Sequence, residues 1–403
     1  MEPNIQPIPP STQTSQPVVQ STSKITFGKT KYFLLAVVIL LILFAVGGAY
    51  YLGKVNQKSK IDNGRAASPI TSSTPTTAPT IKQPLMPEKS PLSLVKVGEF
   101  PIGETFNTLP LIALGNYVYI ADAGSLNIFN ITNPTKPTKF GSVQLGFTSL
   151  ESSLSISGNY AYILSASQSS RLTNKTNLLV INISNPRMPT VVYKNESMDV
   201  SWGVTSGNHL YAVGKDFEIF DVSNPANPAI VGSSKDNLRN PTSIAISGNY
   251  AFVGNTISCE KGCSSLQVFD IHNPNHPISI ASLEGLGVAR QISISGNYAY
   301  ILDDDAIDIV DITNPSNPKL ISSMGSFATG LNNPQSFIVS GNYLYVPSYA
   351  NASLLIYDIR DSSKPILTRT INDLYDYPSS IAISDNFAYI GFLYTLKVGI
   401  YKK

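Results

Sequence analysis

The sequence predicts an all-β fold, a seven-bladed β-propeller whose last blade is closed by strands from both ends of the chain. Three observations predict it. The octapeptide SGNYAYIL occurs twice, at Ser157–Leu164 and again at Ser295–Leu302. Relatives of it begin at Gly115, Gly207, Gly248 and Gly341, with a degenerate DNFAYI at Asp385, and successive copies lie 41 to 49 residues apart. A second signature, Asn-Pro-x-x-Pro, keeps step with the first at Asn133, Asn185, Asn224, Asn273 and Asn314, and Asp361 opens a worn sixth copy. Self-similarity at a period of roughly 45 residues marks a repeat architecture in which each unit stacks on the next.

Each repeat reads as four short strands. The first is an alternating run ending in Ser, such as SIAIS (Ser243–Ser247) or QISIS (Gln291–Ser295). A Gly-Asn turn follows, both residues tolerating positive φ. Next come YAYIL and a run such as LLVINI (Leu178–Ile183) or AIDIVDI (Ala306–Ile312). Alternation of Ile or Val with Ser or Ala, with aromatic and β-branched enrichment, argues for strands. In the Asn-Pro turn the Asn side chain can bond the backbone ahead of it while Pro pre-sets φ. The second Pro lacks an N–H and so introduces a strand suited to a sheet edge, as in AIVGSS (Ala229–Ser234). The acid or amide ending the third strand (Asn130, Asn182, Asp221, Asp270, Asp311, Asp358) recurs in every such repeat and is expected to bond into the turn. Four strands with a proline-marked outer edge make a propeller blade.

Six complete cycles run from Gly115 to Ser384, and the C-terminal piece from Asp385 supplies two more strands. LSLVKVGEF (Leu92–Phe100) matches the missing outer strand, and LPLIAL (Leu109–Leu114) the inner strand of blade one. The seventh blade is thus expected to close from both termini, which removes exposed edges.

These repeats, with YAYIL, LLVINIS, IDIVDIT and the Asn-Pro turn, resemble the LVIVD repeat family of bacterial and archaeal surface or secreted proteins. The resemblance covers about three quarters of the chain, residues 92–403. It implies a β-propeller. It implies no activity, since the family shares none, and carries over no catalytic residues.

The chain before Leu92 differs in kind. Residues 1–31, rich in Pro, Ser, Thr and Gln, are expected to be a disordered tail. Tyr32–Leu52 is 21 residues without charge, enough to span a bilayer core of about 30 Å as a transmembrane helix. Tyr32, Tyr50 and Tyr51 sit at its ends, where an aromatic belt belongs. A cleaved signal peptide would have a shorter leader and a shorter apolar run. Residues 53–91 read as a linker, Ser/Thr/Pro-rich from Ala66, that cannot bury enough surface to fold. Lys24, Lys29 and Lys31 on one side balance Lys54, Lys58, Lys60 and Arg65 on the other, so charge does not orient the span. The stalk composition does. The expectation is a single-pass membrane protein with a cytoplasmic N-terminus and an extracytoplasmic propeller.

Charge divides the same way. The first 92 residues carry 9 basic and 3 acidic side chains, and the remainder 19 and 23. A mildly acidic propeller without a basic stripe argues against nucleic acid as a partner.

Few residues suggest chemistry. His272 and His276 straddle an Asn-Pro turn, with no acidic or cysteine partner at ligand spacing, and read as solvated turn residues. His209 stands where most repeats have Tyr and reads as a packing substitution. No nucleophile elbow accompanies them. Cys259 and Cys263, the two cysteines, suit a small disulfide loop outside the cell, the other reading being a redox pair. Asp303 and Asp305 in DDDAID are metal candidates by carboxylate density, but a hairpin turn accounts for them, and no metal or other cofactor is expected.

Function is therefore sought where the repeats differ. The Gly-Asn and Asn-Pro turns fall on one face and are uniform; the other connections fall on the opposite face and vary, which marks a binding face. Trp202, Arg239, Arg290, Tyr375 and Tyr377 belong to that face and are residue types favoured at interaction hot spots. The reading is a membrane-tethered module that binds a protein, peptide or glycan. Two alternatives stand beside it: the aromatics plug the channel, or the protein is an envelope hydrolase or lyase using a metal at the channel.

Overall fold

The computed structural model describes residues 94–102, 110–122, 124–146, 152–166, 176–235, 238, 241–255, 264–303, 306–325, 331, 333–372, 374 and 376–403. All fall in the compact unit Pro87–Lys403. The expected tail, membrane span and linker (1–31, 32–52 and 53–91) lie outside the described residues. Among the described residues no helix is long and apolar enough to cross a membrane.

The described strands form seven four-stranded antiparallel sheets. Blade one runs Leu111–Leu114, Tyr117–Asp122, Ser125–Asn130 and Thr138–Gln144, from inner to outer strand. Blades two to six follow in the same order, within Ser152–Met198, Val200–Ser234, Pro241–Leu286, Gln291–Gly325 and Ile338–Ile371. Blade seven takes Pro378–Ser384, Phe387–Phe392 and Lys397–Lys402 from the C-terminus and its outer strand, Val95–Pro101, from the N-terminal side. The expected closure is present, with Val95 opposite Lys402 and Pro101 opposite Lys397.

The turn residues act as their chemistry requires. The turn glycines adopt φ between 54° and 59°. Asp385 takes the same role in blade seven at φ 49°, a conformation Asp tolerates better than most residues. At each Asn-Pro turn the Asn side chain accepts a backbone N–H two residues on, as Asn133 does from Thr135 at 3.1 Å. Asp361 does the same with Ser363 at 3.1 Å. The acid or amide ending the third strand also bonds forward, from Asn130 with the Thr132 N–H at 2.8 Å to Asp358 with that of Arg360 at 3.0 Å. In blades one to six a backbone bond then ties the two turns together, for instance Ile131 N–H to Asn116 O at 2.9 Å, and in blade seven Lys403 N–H makes the corresponding bond to Asn386 O at 2.7 Å. Both turns therefore lie on one face.

A feature absent from the sequence reading recurs in every outer strand. One residue bulges out of register at the same place in all seven blades: Val97, Phe140, Val192, Val231, Ile280, Ile321 and Thr368. A bulge re-aims its side chain and bends the edge. Val97, Val192, Val231, Ile280 and Ile321 are thereby packed against apolar clusters between blades. In three blades the next residue is Gly98, Gly141 or Gly232, where a Cβ would collide with the carbonyl oxygen of Pro134, Pro186 or Pro274 in the following blade. At these three junctions the Asn-Pro turn of one blade thus seats on the bulged edge of the blade before it.

The core is not central but sevenfold. Seven apolar clusters lie one at each junction between neighbouring blades. The junction of blades seven and one joins Phe100 and Ile102 to Ile120, Phe129, Tyr389 and Ile400. Near the axis polar groups stitch inner strands together. Ser155 and Thr205 hydroxyls meet at 2.6 Å, and the Gln291 amide both donates to Phe337 O and accepts from its N–H, at 2.9 and 3.1 Å.

Closure is testable. A chain beginning at Phe106 loses the outer strand of blade seven with Phe100 and Ile102, which are 3% and 2% exposed. Those two side chains alone are worth about 1.5–3 kcal/mol each. Calorimetry should show the truncated chain unfolding broadly and at lower temperature; a transition as sharp and as high as that of the full chain would contradict closure.

The seam also carries an ion cluster. Glu99 bonds Lys397 at 2.8 Å and Lys96 at 2.5 Å, and these bonds, Lys397 first, lower its carboxyl from 4.5 to about 2. A lowered folded-state value means the contribution is present above pH 4.5 and lost as pH falls toward 2. The three side chains are partly exposed, so the cluster is worth no more than about 1 kcal/mol. Glu99→Gln should lower the melting temperature slightly at neutral pH and low salt, with the difference vanishing near pH 2. A constant difference across that range would show the ion pairs to be irrelevant.

Candidate binding face

The second-to-third and fourth-to-first connections lie opposite the paired turns. Where blades six and seven meet, three tyrosines from three separate connections converge. Tyr349 follows the second strand of blade six, Tyr394 follows that of blade seven, and Tyr377 precedes the inner strand of blade seven. The Tyr349 and Tyr377 rings lie 4.8 Å apart and tilted, and Tyr377 meets Tyr394 edge-on at 5.3 Å. The hydroxyls of Tyr349 and Tyr394 are 3.0 Å apart. Aromatic pairs in such geometries gain about 0.5–1.5 kcal/mol beyond burial. The patch is nonetheless open to solvent, with Tyr377 40% and Tyr394 62% exposed.

Asp376 positions the patch. It is 7% exposed, and its carboxylate accepts the N–H of Tyr377 at 2.7 Å and that of Thr395 through the other oxygen. One buried carboxylate so fixes the backbone beside Tyr377 to the turn that presents Tyr394. The Leu393 N–H bonds Tyr377 O at 3.1 Å and completes the brace. Leu396 ends that turn at φ 52°. The Tyr394 hydroxyl, then burial, raises the Tyr349 phenol above its ordinary value. The three rings offer planar surfaces, and the paired Tyr349 and Tyr394 hydroxyls can donate and accept hydrogen bonds.

Of the residues expected on this face, Tyr377 joins the patch. Trp202 lies in the inner strand of blade three, opposite Val213, half-buried and packed against the cluster between blades three and four. Arg290 precedes the inner strand of blade five; its side chain is exposed and its N–H bonds Leu302 O at 2.8 Å. Arg239 and Tyr375 lie outside the described residues, as do Asp305, Cys259 and Cys263 and with them the expected disulfide. Asp303 closes a turn by accepting the Ala306 N–H. Among the described residues no group of three or more His, Cys, Asp or Glu could hold a metal ion. His272 is an exposed turn residue whose Nδ1 lies 2.8 Å from Asp270, two residues back.

Sequence reasoning missed Tyr349 and Tyr394. The signal was available, since the residue eight beyond the turn glycine is Ala166 or Lys215 in other blades and Tyr349 in blade six, with Tyr394 one place further on in blade seven. A cleft of about 690 Å³ also opens beside the closing strand, lined by Lys96, Glu99, Thr135, Asp376, Lys397 and Tyr401 among others. Both of its carboxylates are already engaged, Glu99 by two lysines and Asp376 by backbone.

The LVIVD repeat matches the sequence at residues 110–144, 151–194, 197–236, 239–284, 286–326, 333–373 and 377–395. A search of curated proteins finds no match. Among solved structures, a functionally unknown protein from Desulfotomaculum acetoxidans DSM 771 is similar at a TM-score of 0.52 and 14% identity, over 66% of this chain and 86% of that one. A chain in the crystal structure of the mitotic checkpoint complex is similar at a TM-score of 0.55 and 10% identity, over 85% of this chain and 99% of that one. At such identities the likeness concerns the fold alone.

The two aromatic sites should respond differently to truncation. Trp202→Ala removes packing at a blade junction and should cost about 2–4 kcal/mol. Tyr394→Ala, at a surface, should change stability by no more than about 0.5–1 kcal/mol. Urea unfolding of both variants measures this; equal losses would mean that the tyrosine patch is core.

Proposed function

We propose that this chain, which belongs to the LVIVD repeat family, is a membrane-anchored binding module whose variable face takes a peptide or glycan. The observation that carries the reading is the solvent-open cluster of Tyr349, Tyr377 and Tyr394, braced by a buried carboxylate. Exposed aromatics held rigid by a scaffold offer large contact area at low entropic cost. Tyrosine rings suit a sugar face or a proline-rich peptide, and their hydroxyls supply orientation. The anchor rests on the 21 uncharged residues of Tyr32–Leu52 and on the Ser/Thr/Pro-rich segment that follows. Arg290, and Arg239 and Tyr375 by sequence, extend the same face; Trp202 supports it from beneath.

The test is a screen of the full chain in detergent against glycan and peptide arrays, followed by titration of any ligand found. Combined Tyr377→Ala and Tyr394→Ala should weaken binding at least about tenfold, or 1.4 kcal/mol, with the melting temperature nearly kept. A ligand held equally well by the double variant would place the site elsewhere.

A further inference from the structure

The face formed by the paired turns is chemically distinct from the rest of the propeller. Its rim is set by the first two residues of each outer strand, and these carry large apolar side chains in six of seven blades: Val95, Val191, Ile230, Ile278, Leu320, and Ile366 with Leu367. They are 37–59% exposed, and Met188 in the turn of blade two is 70% exposed. Blade one has Lys139 at this place. One exposed aliphatic is ordinary on a surface. The same two adjoining positions hold one or more of them in six blades, which is a pattern.

Charge on this face runs against the propeller as a whole. Counting the two turns of each blade, the ends of third strands and the starts of outer strands, basic side chains outnumber acidic ones nine to six. Lys136, Lys139, Arg187, Lys319, Lys364 and Lys402 are exposed among them. The acids are mostly those that hold turn amides; Asp270 and Asp358 are further paired with His272 and Arg360. The propeller sequence is acidic overall, 23 acidic to 19 basic side chains from Ser93 onward. The remaining positions of the propeller therefore hold the excess negative charge, 17 acidic to 10 basic side chains.

The described chain also begins on this face. Outer strands start at the turns, so Val95 opens its strand there, opposite Lys402. Forty-two residues, 53–94, separate the apolar stretch Tyr32–Leu52 from Val95. A tether of that length lets either face approach a membrane, so the surfaces themselves decide.

We infer that the paired-turn face docks on an anionic lipid bilayer. The basic side chains meet headgroups, the rim of aliphatics enters the interface, and the variable face with its tyrosine patch points outward. Peripheral docking of this kind combines buried apolar area with attraction to anionic lipid. The inference rests on the anchor proposed above.

Lysine footprinting by mass spectrometry tests it on the full chain in nanodiscs. One set is phosphatidylcholine alone, the other contains about 30% phosphatidylglycerol. Lys136, Lys139, Lys319 and Lys364 should become at least about fivefold less reactive in the anionic discs, while Lys215 and Lys235 on the variable face stay unchanged. Ile230→Asp with Ile278→Asp should cut that protection by about half or more at an unchanged melting temperature. Equal reactivity of both lysine sets in both discs, or protection of Lys215 and Lys235 instead, would overturn the docking while leaving the anchor intact. A chain that never enters the discs and washes off vesicles at alkaline pH would overturn the anchor, and the docking with it.

Discussion

Every blade of this propeller is apolar on both faces, so none can bury itself. That constraint governs the rest of the structure. A four-stranded sheet in water needs one wet face or a partner on each side. Here each blade has two partners, and the apolar clusters sit at the seven junctions. A row of such blades would leave two apolar faces exposed, and only a ring leaves none. The outer strand drawn from the N-terminal side is the consequence: it completes blade seven and contributes Phe100 and Ile102 to the junction with blade one.

The junctions also explain why the two turns are so uniform. The Asn-Pro turns of blades one, two and four have two duties, closing their own hairpins and seating against the bulged outer strand of the preceding blade. Asn or Asp side chains fix the first through forward bonds to the backbone. A small residue after the bulge permits the second in three blades. Variation on this face would disturb packing between blades. The opposite connections touch fewer such constraints and are free to differ, which is where the tyrosine patch has formed.

Much of this was legible in the sequence because it is local. Gly-Asn, Asn-Pro-x-x-Pro and period-two alternation each act within a few residues, so strand number, turn type and terminal closure could be read directly. The blade-seven turn was not legible in the same way: without the Gly only its strands could be read, and the structure shows Asp385 taking the glycine's φ at 49°. The outer-strand bulge was not legible. It depends on contact with a neighbouring blade, and Val97 or Ile280 looks in sequence like any other strand residue. The site was half legible. Tyr377 was found by residue type, but Tyr349 and Tyr394 become neighbours only when blades six and seven pack. Trp202 was chosen for its type as well, yet its place in the inner strand makes it part of a blade junction.

The two faces thus differ in their constraints. The paired-turn face carries the uniform turns of the architecture, and the variable face is the one for which recognition is proposed. All of this depends on the ring behaving as one cooperative unit. Native-state hydrogen exchange on the full chain tests that most directly, at the amides by which Val95–Pro101 pairs with Lys397–Lys402. The account predicts that they exchange only through global unfolding, with the same opening free energy as amides in Phe387–Phe392. Exchange of Val95–Pro101 at far lower free energy, as a fraying edge would show, would contradict it.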